Sequence, residues 1–158
     1  NDKVSSKKLA NQILIKSLKK IISHSKTKKI KIALETEGSS LKYNYLMMQK
    51  PNEFKDLFKI FPKNLFLNLN IAHSNFASKL YNFSLINFIK QFKKKIVAVE
   101  LSCNDGFHDQ NLPIKSNSEN LKYLKYLKNI PIILEFRNTN FQNIKNSIQV
   151  LKKNLKND

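Results

Sequence analysis

The sequence predicts an α/β protein made of parallel βα units, and two observations carry that prediction. Four short apolar runs, at residues 30–34, 65–69, 96–99 and 132–134, alternate with longer stretches whose apolar residues recur every three or four positions. Each run closes on a polar or acidic residue, at Glu35, Asn70, Glu100 and Glu135, so the unit returns every 30 to 35 residues. Strands and helices that alternate in this way form a parallel sheet through right-handed crossovers. The period is that of one βα unit, not of a solenoid repeat. No low-complexity linker divides the chain, so residues 1–158 are read as one domain, a helix followed by four βα units.

Taken in order, residues 5–24 predict an amphipathic helix with Leu9, Ile13, Leu14, Leu18, Ile21 and Ile22 on one face. The basic segment Ser25 to Lys29 is expected to end it. A strand follows up to Glu35, then a loop to Lys50 carrying Glu37, Gly38, Ser39 and Ser40. Pro51 starts a short helix with Phe54, Leu57, Phe58 and Phe61 as its apolar stripe, and Pro62 stops it. After the second strand, Asn70 to about Tyr81 reads as a loop. Ser84 caps a helix with Leu85, Phe88, Ile89 and Phe92 inward. After the third strand and its loop, Ser118 caps a helix carrying Leu121, Leu124 and Leu127. Pro131 opens the last strand. Asn140 caps a final helix with Phe141, Ile144, Ile148, Leu151 and Leu155.

The net charge is +18, yet 28 of the 29 basic residues are lysine and only Arg137 is arginine. The lysines are scattered and not interleaved with aromatic residues. Because arginine dominates bidentate recognition of phosphates and bases, this pattern reads as solvated helix faces and argues against a nucleic-acid partner. No apolar run approaches the ~18 residues of a membrane helix, so no membrane partner is expected. The single cysteine, Cys103, excludes an internal disulfide framework and fits a reducing, cytoplasmic compartment. It lacks the partners of a nucleophile and reads as structural. Ser39 and Ser40 lack a plausible triad. No phosphate-binding loop, dinucleotide fingerprint or cysteine-rich zinc pattern is present.

In a parallel sheet all strand C-termini point one way, so the residues just past them converge on one rim. That rim collects Glu35, Glu37, Asn70, His73, Glu100, Asp105, His108, Asp109, Asn111 and Glu135, and with them six of the 11 acidic residues. Crowded carboxylates repel unless a cation, shared protons or lysines neutralise them. A divalent metal is the economical explanation, and oxygen-rich ligation favours Mn²⁺ or Mg²⁺ over Zn²⁺. Singly, each residue also has a plainer role. Asp105 is expected to shape the turn at Asn104–Gly106, His24 to end a helix in solvent, and His108 to belong to the loop.

The ordered set LE at Glu35, N-x-x-H at Asn70 to His73, V-E-L-S-x-N-D-G-x-x-D-x-N-L-P from Val99 to Pro113, and I-L-E at Glu135 resembles the xylose-isomerase-like TIM barrels. That family includes sugar-phosphate isomerases and epimerases and the related zinc-dependent abasic-site endonucleases. The resemblance covers residues 30–136 and implies the C-terminal half, four βα units, of a TIM (β/α)8 barrel. It implies a divalent metal held at Glu35, Asn70, Glu100 and Glu135. At Asn70 the family has Asp, and at Glu100 it has His. Glu35 and Glu135 would be catalytic, moving a proton next to a carbonyl through an enediolate. His73, Asp109 and Arg137 would bind a sugar or sugar phosphate. Asn111 stands where the endonucleases carry a zinc-binding His, which weighs against that activity. A barrel that has lost catalysis is the other alternative. Half a barrel leaves two open edges, so a missing N-terminal half-barrel or a homo-oligomer partner is expected.

Overall fold

The computed structural model describes residues 6–39, 46–106 and 108–156. Ser5, Ser40 and part of the loop before Lys50 lie outside them. Its centre is a four-stranded sheet of β1 (Ile32–Glu35), β2 (Leu65–Asn70), β3 (Ile96–Leu101) and β4 (Ile132–Leu134). The order is sequential and every pairing is parallel. The α/β class and the parallel βα plan expected from the sequence are therefore present.

Alternation along each strand decides which side chains meet the helices and which meet the opposite face. On β2, Leu65, Leu67 and Leu69 are fully buried, while Phe66, Asn68 and Asn70 point the other way. The helices on the leucine side are α2 (Pro51–Ile60) and α4 (Leu85–Phe92). They join through Phe54 and Phe58 packed on Phe88 and Phe92, with ring centroids 5.5 to 6.2 Å apart across the helix pair. Such pairs contribute about 0.5–1.5 kcal/mol each beyond the area they bury. Pro51 at the start of α2 has no N–H to leave unpaired. Glu53 Oε2 accepts from the backbone N–H groups of Gln49 and Lys50, both at 2.9 Å.

The register slips between Leu67 and Asn68, so that Leu67 pairs with Ile96 but Asn68 with Ala98. This bulge gives β3 one extra residue and sets Asn70 opposite Glu100, which brings two strand-end polar groups side by side.

Four local expectations change. Helix α1 (Lys7–Lys28) does not stop at Ser25. Ser25 donates back to the Ile22 carbonyl and stays buried, and the helix ends at Lys29 in the left-handed region. Of its predicted inward face, Leu18 and Ile22 are buried, but Leu9, Ile13 and Ile21 are exposed, because α1 covers only the edge of the sheet.

The expected loop after β2 is helix α3 (Ile71–Leu80). It starts directly because the Asn70 side chain accepts the His73 N–H at 3.1 Å and caps it. The segment after Ser118 is a 3₁₀ helix (Glu119–Tyr126) rather than an α-helix. The Ser118 hydroxyl accepts from Lys115 N–H at 2.8 Å and is not turned into the helix. Helix α5 (Phe141–Lys156) packs through Ser147, whose hydroxyl accepts from Ile114 N–H at 3.1 Å, leaving Phe141, Ile148 and Leu155 exposed.

Eight of the ten exposed large hydrophobic residues among those described lie on or next to the first and last elements of the fold. Leu9, Ile13, Ile21 and Ile30 lie on or next to α1, beside β1. Ile133, Phe141, Ile148 and Leu155 lie on β4 and α5. No helix among the described residues is long and apolar enough to cross a membrane.

Candidate functional site

The strand ends bring Glu35, Asn70, Glu100 and Glu135 to one point. Asn70 is fully buried there. Its Nδ2 lies 3.0 Å from Glu35 Oε1, 3.0 Å from Glu100 Oε2 and 2.9 Å from Glu135 Oε2. The amide has two N–H bonds for three carboxylate oxygens. Asn68, two residues earlier on the same face of β2, donates to Glu100 Oε1 at 2.7 Å.

Burial and a neighbouring carboxylate both penalise the charged form of Glu35. Burial pushes Glu35 up most strongly. Its hydrogen bond from Asn70 opposes this, and the nearby Glu100 adds repulsion and a carboxyl–carboxylate hydrogen bond. His73 pulls the other way, and the result is a pKa raised to about 7.

Asn70 is held in one orientation. Its Oδ1 is engaged as the cap of α3. Its backbone N–H donates to Thr36 Oγ1 at 2.9 Å, and Thr36 Oγ1 donates to its carbonyl at 3.1 Å. Thr36 Oγ1 also receives a hydrogen bond from Ser74 at 2.8 Å, which ties β1, β2 and α3 together beneath the rim.

A second layer surrounds the cluster. His73 Nδ1 lies 3.2 Å from the Thr36 carbonyl and 3.4 Å from Glu35 Oε1, while its Nε2 lies 3.3 Å from Asp109 Oδ1. Asp109 Oδ2 accepts from Arg137 Nη1 at 3.0 Å. Asn111 is fully buried with φ of 46°. With its amide turned to satisfy both ends, it donates to Ser102 Oγ and Asp109 Oδ1 and accepts from Arg137 Nε at 3.2 Å. Its backbone carbonyl also receives the Arg137 N–H at 3.1 Å. Asn111 therefore supports the Asp109–Arg137 pair from below.

All seven residues expected in the site, Glu35, Asn70, His73, Glu100, Asp109, Glu135 and Arg137, belong to this connected network. Asp105 and His108 do not join it. They pair with each other at 2.7 Å in their own loop, with Asp105 also accepting the His108 N–H. His24 lies within α1, its Nδ1 2.9 Å from the Lys20 carbonyl. Burial raises the Cys103 thiol above its ordinary pKa, which disfavours the thiolate. Sequence reasoning missed Asn68, although Leu-Asn-Leu-Asn on β2 places Asn68 and Asn70 on one face. It also missed Thr36, whose role depends on contacts distant in sequence.

The four residues expected as metal ligands meet, but as they stand they do not fit a cation. Among the described residues, no group of three or more His, Cys, Asp or Glu side chains is arranged to hold a metal ion. The chemical reason is visible at Asn70. The carbonyl oxygen that could bind a cation caps α3, and the amide N–H₂ fills the meeting point of the carboxylates.

No family model matches this chain, and no curated protein matches it. Among solved structures it is similar in fold to the TTHB071 protein from Thermus thermophilus, in a structure described as soaking with ZnCl2. The TM-score is 0.68 at 12% identity, over 94% of this chain and 54% of that chain. This chain thus spans about half the length of that protein, and the likeness is one of fold alone.

Proposed function

We propose that the rim is a proton-transfer site of the isomerase or epimerase kind, acting next to the carbonyl of a sugar or sugar phosphate. The observation that carries this reading is the convergence of Glu35 from β1 and Glu135 from the end of β4 on one amide nitrogen. Two carboxyl groups that reach a shared point from the two edge strands of a sheet suit removal of a proton from a carbon and its return.

A pKa near 7 lets Glu35 act as acid or base at neutral pH, where general catalysis is most effective. Glu135 is its partner in the transfer. Arg137, exposed and oriented by Asp109, suits a hydroxyl or phosphate group, and His73 suits a hydroxyl.

A second reading is favoured by one observation. The Asn70 amide occupies the point where the resembled enzymes hold a metal, so a barrel half without catalysis accounts for the same geometry. Exchange of sugar C–H protons in D₂O, followed by NMR after chelator treatment, separates the two. The catalytic reading expects exchange in the wild type and its loss in Glu135→Gln. Absence of exchange across a panel of aldose and ketose phosphates favours the second reading.

The proposal extends to architecture. The open edges at β1 and β4, and the apolar residues beside them, are read as the seams of a half-barrel. The half-length match to a longer chain of like fold supports this. On this reading a second copy, turned by half a revolution about the barrel axis, brings β4 to β1 with every strand still parallel.

A further inference from the structure

We propose that the Asn70 amide stands in for a cation at the meeting point of Glu35, Glu100 and Glu135, and that this one side chain makes the rim metal-independent. Three features carry the inference. The amide nitrogen is at 2.9 to 3.0 Å from an oxygen of each glutamate, so its two N–H bonds supply the positive end that the carboxylates require. The side chain cannot turn over, because its Oδ1 caps α3 through His73 N–H and its backbone is clamped by Thr36. Asn70 is also fully buried, so no alternative position in solvent is open to it.

An oxygen in place of Nδ2 reverses the situation. Asp at this position keeps the cap with one carboxylate oxygen and aims the other at three glutamates. Four carboxylates around one point require a cation, and hard divalent ions take such oxygen ligands. Glu100 then stands ready as a ligand, already braced by Asn68.

The inference concerns the same rim as the proposed function but rests on geometry alone. Its readout is binding, so it stands or falls separately from catalysis. The test compares wild type and Asn70→Asp for Mn²⁺ binding by electron paramagnetic resonance, with Zn²⁺ binding by calorimetry. The wild type is expected to show no saturable site at micromolar to millimolar metal. Asn70→Asp is expected to show a saturable site in that range, about tenfold or more below the highest metal concentration at which the wild type stays empty, and the site is abolished by a second change, Glu100→Gln.

Saturable binding by the wild type that disappears in Glu100→Gln overturns the proposal, and this measurement needs no folded Asn70→Asp. A folded Asn70→Asp that also binds nothing overturns it from the other side, because the amide would then not be what excludes the ion.

Discussion

Gly38 lies against the backbone of His73, so that a methyl group built on Gly38 would meet the His73 Cα at 2.8 Å and its carbonyl carbon at 2.9 Å. The glycine two residues beyond the Thr36 clamp thus lets the β1 loop approach the first turn of α3. That approach keeps His73 within reach of both Glu35 and Asp109. Because the obstacle is backbone, Gly38→Ala cannot be absorbed by a rotamer change. It is expected to lower stability by about 1–3 kcal/mol. Urea denaturation measures the loss, and the His73 ring resonances should shift in the folded variant. Unchanged stability and unchanged His73 signals would show that the close approach is not required.

The raised pKa of Glu35 has a definite sign for stability. Its folded value of about 7 lies above the ordinary 4.5, so the folded protein binds a proton that the unfolded chain releases. The stabilisation is complete below about pH 4.5 and is lost as pH rises through about 7. The difference in urea midpoint between wild type and Glu35→Gln should therefore move against the wild type across that window. Glu100→Gln removes the repelling carboxylate, so Glu35 in that variant should titrate lower, as read from its side-chain carbon shift by NMR. A Glu35 midpoint that stays near the ordinary value in the wild type contradicts this account.

The apolar residues at the two sheet edges predict self-association of the chain by itself. Leu9, Ile13 and Ile21 on one side and Phe141, Ile148 and Leu155 on the other are suited to mutual burial in a second copy. The charge of +18 on each copy opposes association, and salt screens it. Light scattering should give a mass of twice 18.5 kDa, with the dimer fraction increasing with ionic strength. Phe141→Asp together with Ile13→Asp should return the monomer. A monomer at every salt and protein concentration would remove the half-barrel pairing.

How much of this was legible in the sequence differs between the fold and the site. The four strands follow from their apolar runs, and the rim follows from parallel topology once Glu35, Asn70, Glu100 and Glu135 fall at successive strand ends. Local patterns determined these features because burial on one face of a strand or helix requires a fixed period. Helix α3 escaped notice because its start depends on one capping side chain rather than on amphipathic spacing.

Only the tertiary structure decided what the rim contains. The bulge between Leu67 and Asn68 sets Asn70 opposite Glu100. The cap on α3 then fixes which end of the Asn70 amide the three glutamates meet. Sequence names the donor and acceptor atoms of an asparagine equally. The orientation is set by contacts from the ends of β1, β3 and β4, about 30 to 65 positions away, and from α3 just beyond in the chain. Composition and spacing thus determined that carboxylates gather at one end of the sheet. Long-range packing determined that an amide, turned nitrogen-first, holds them together.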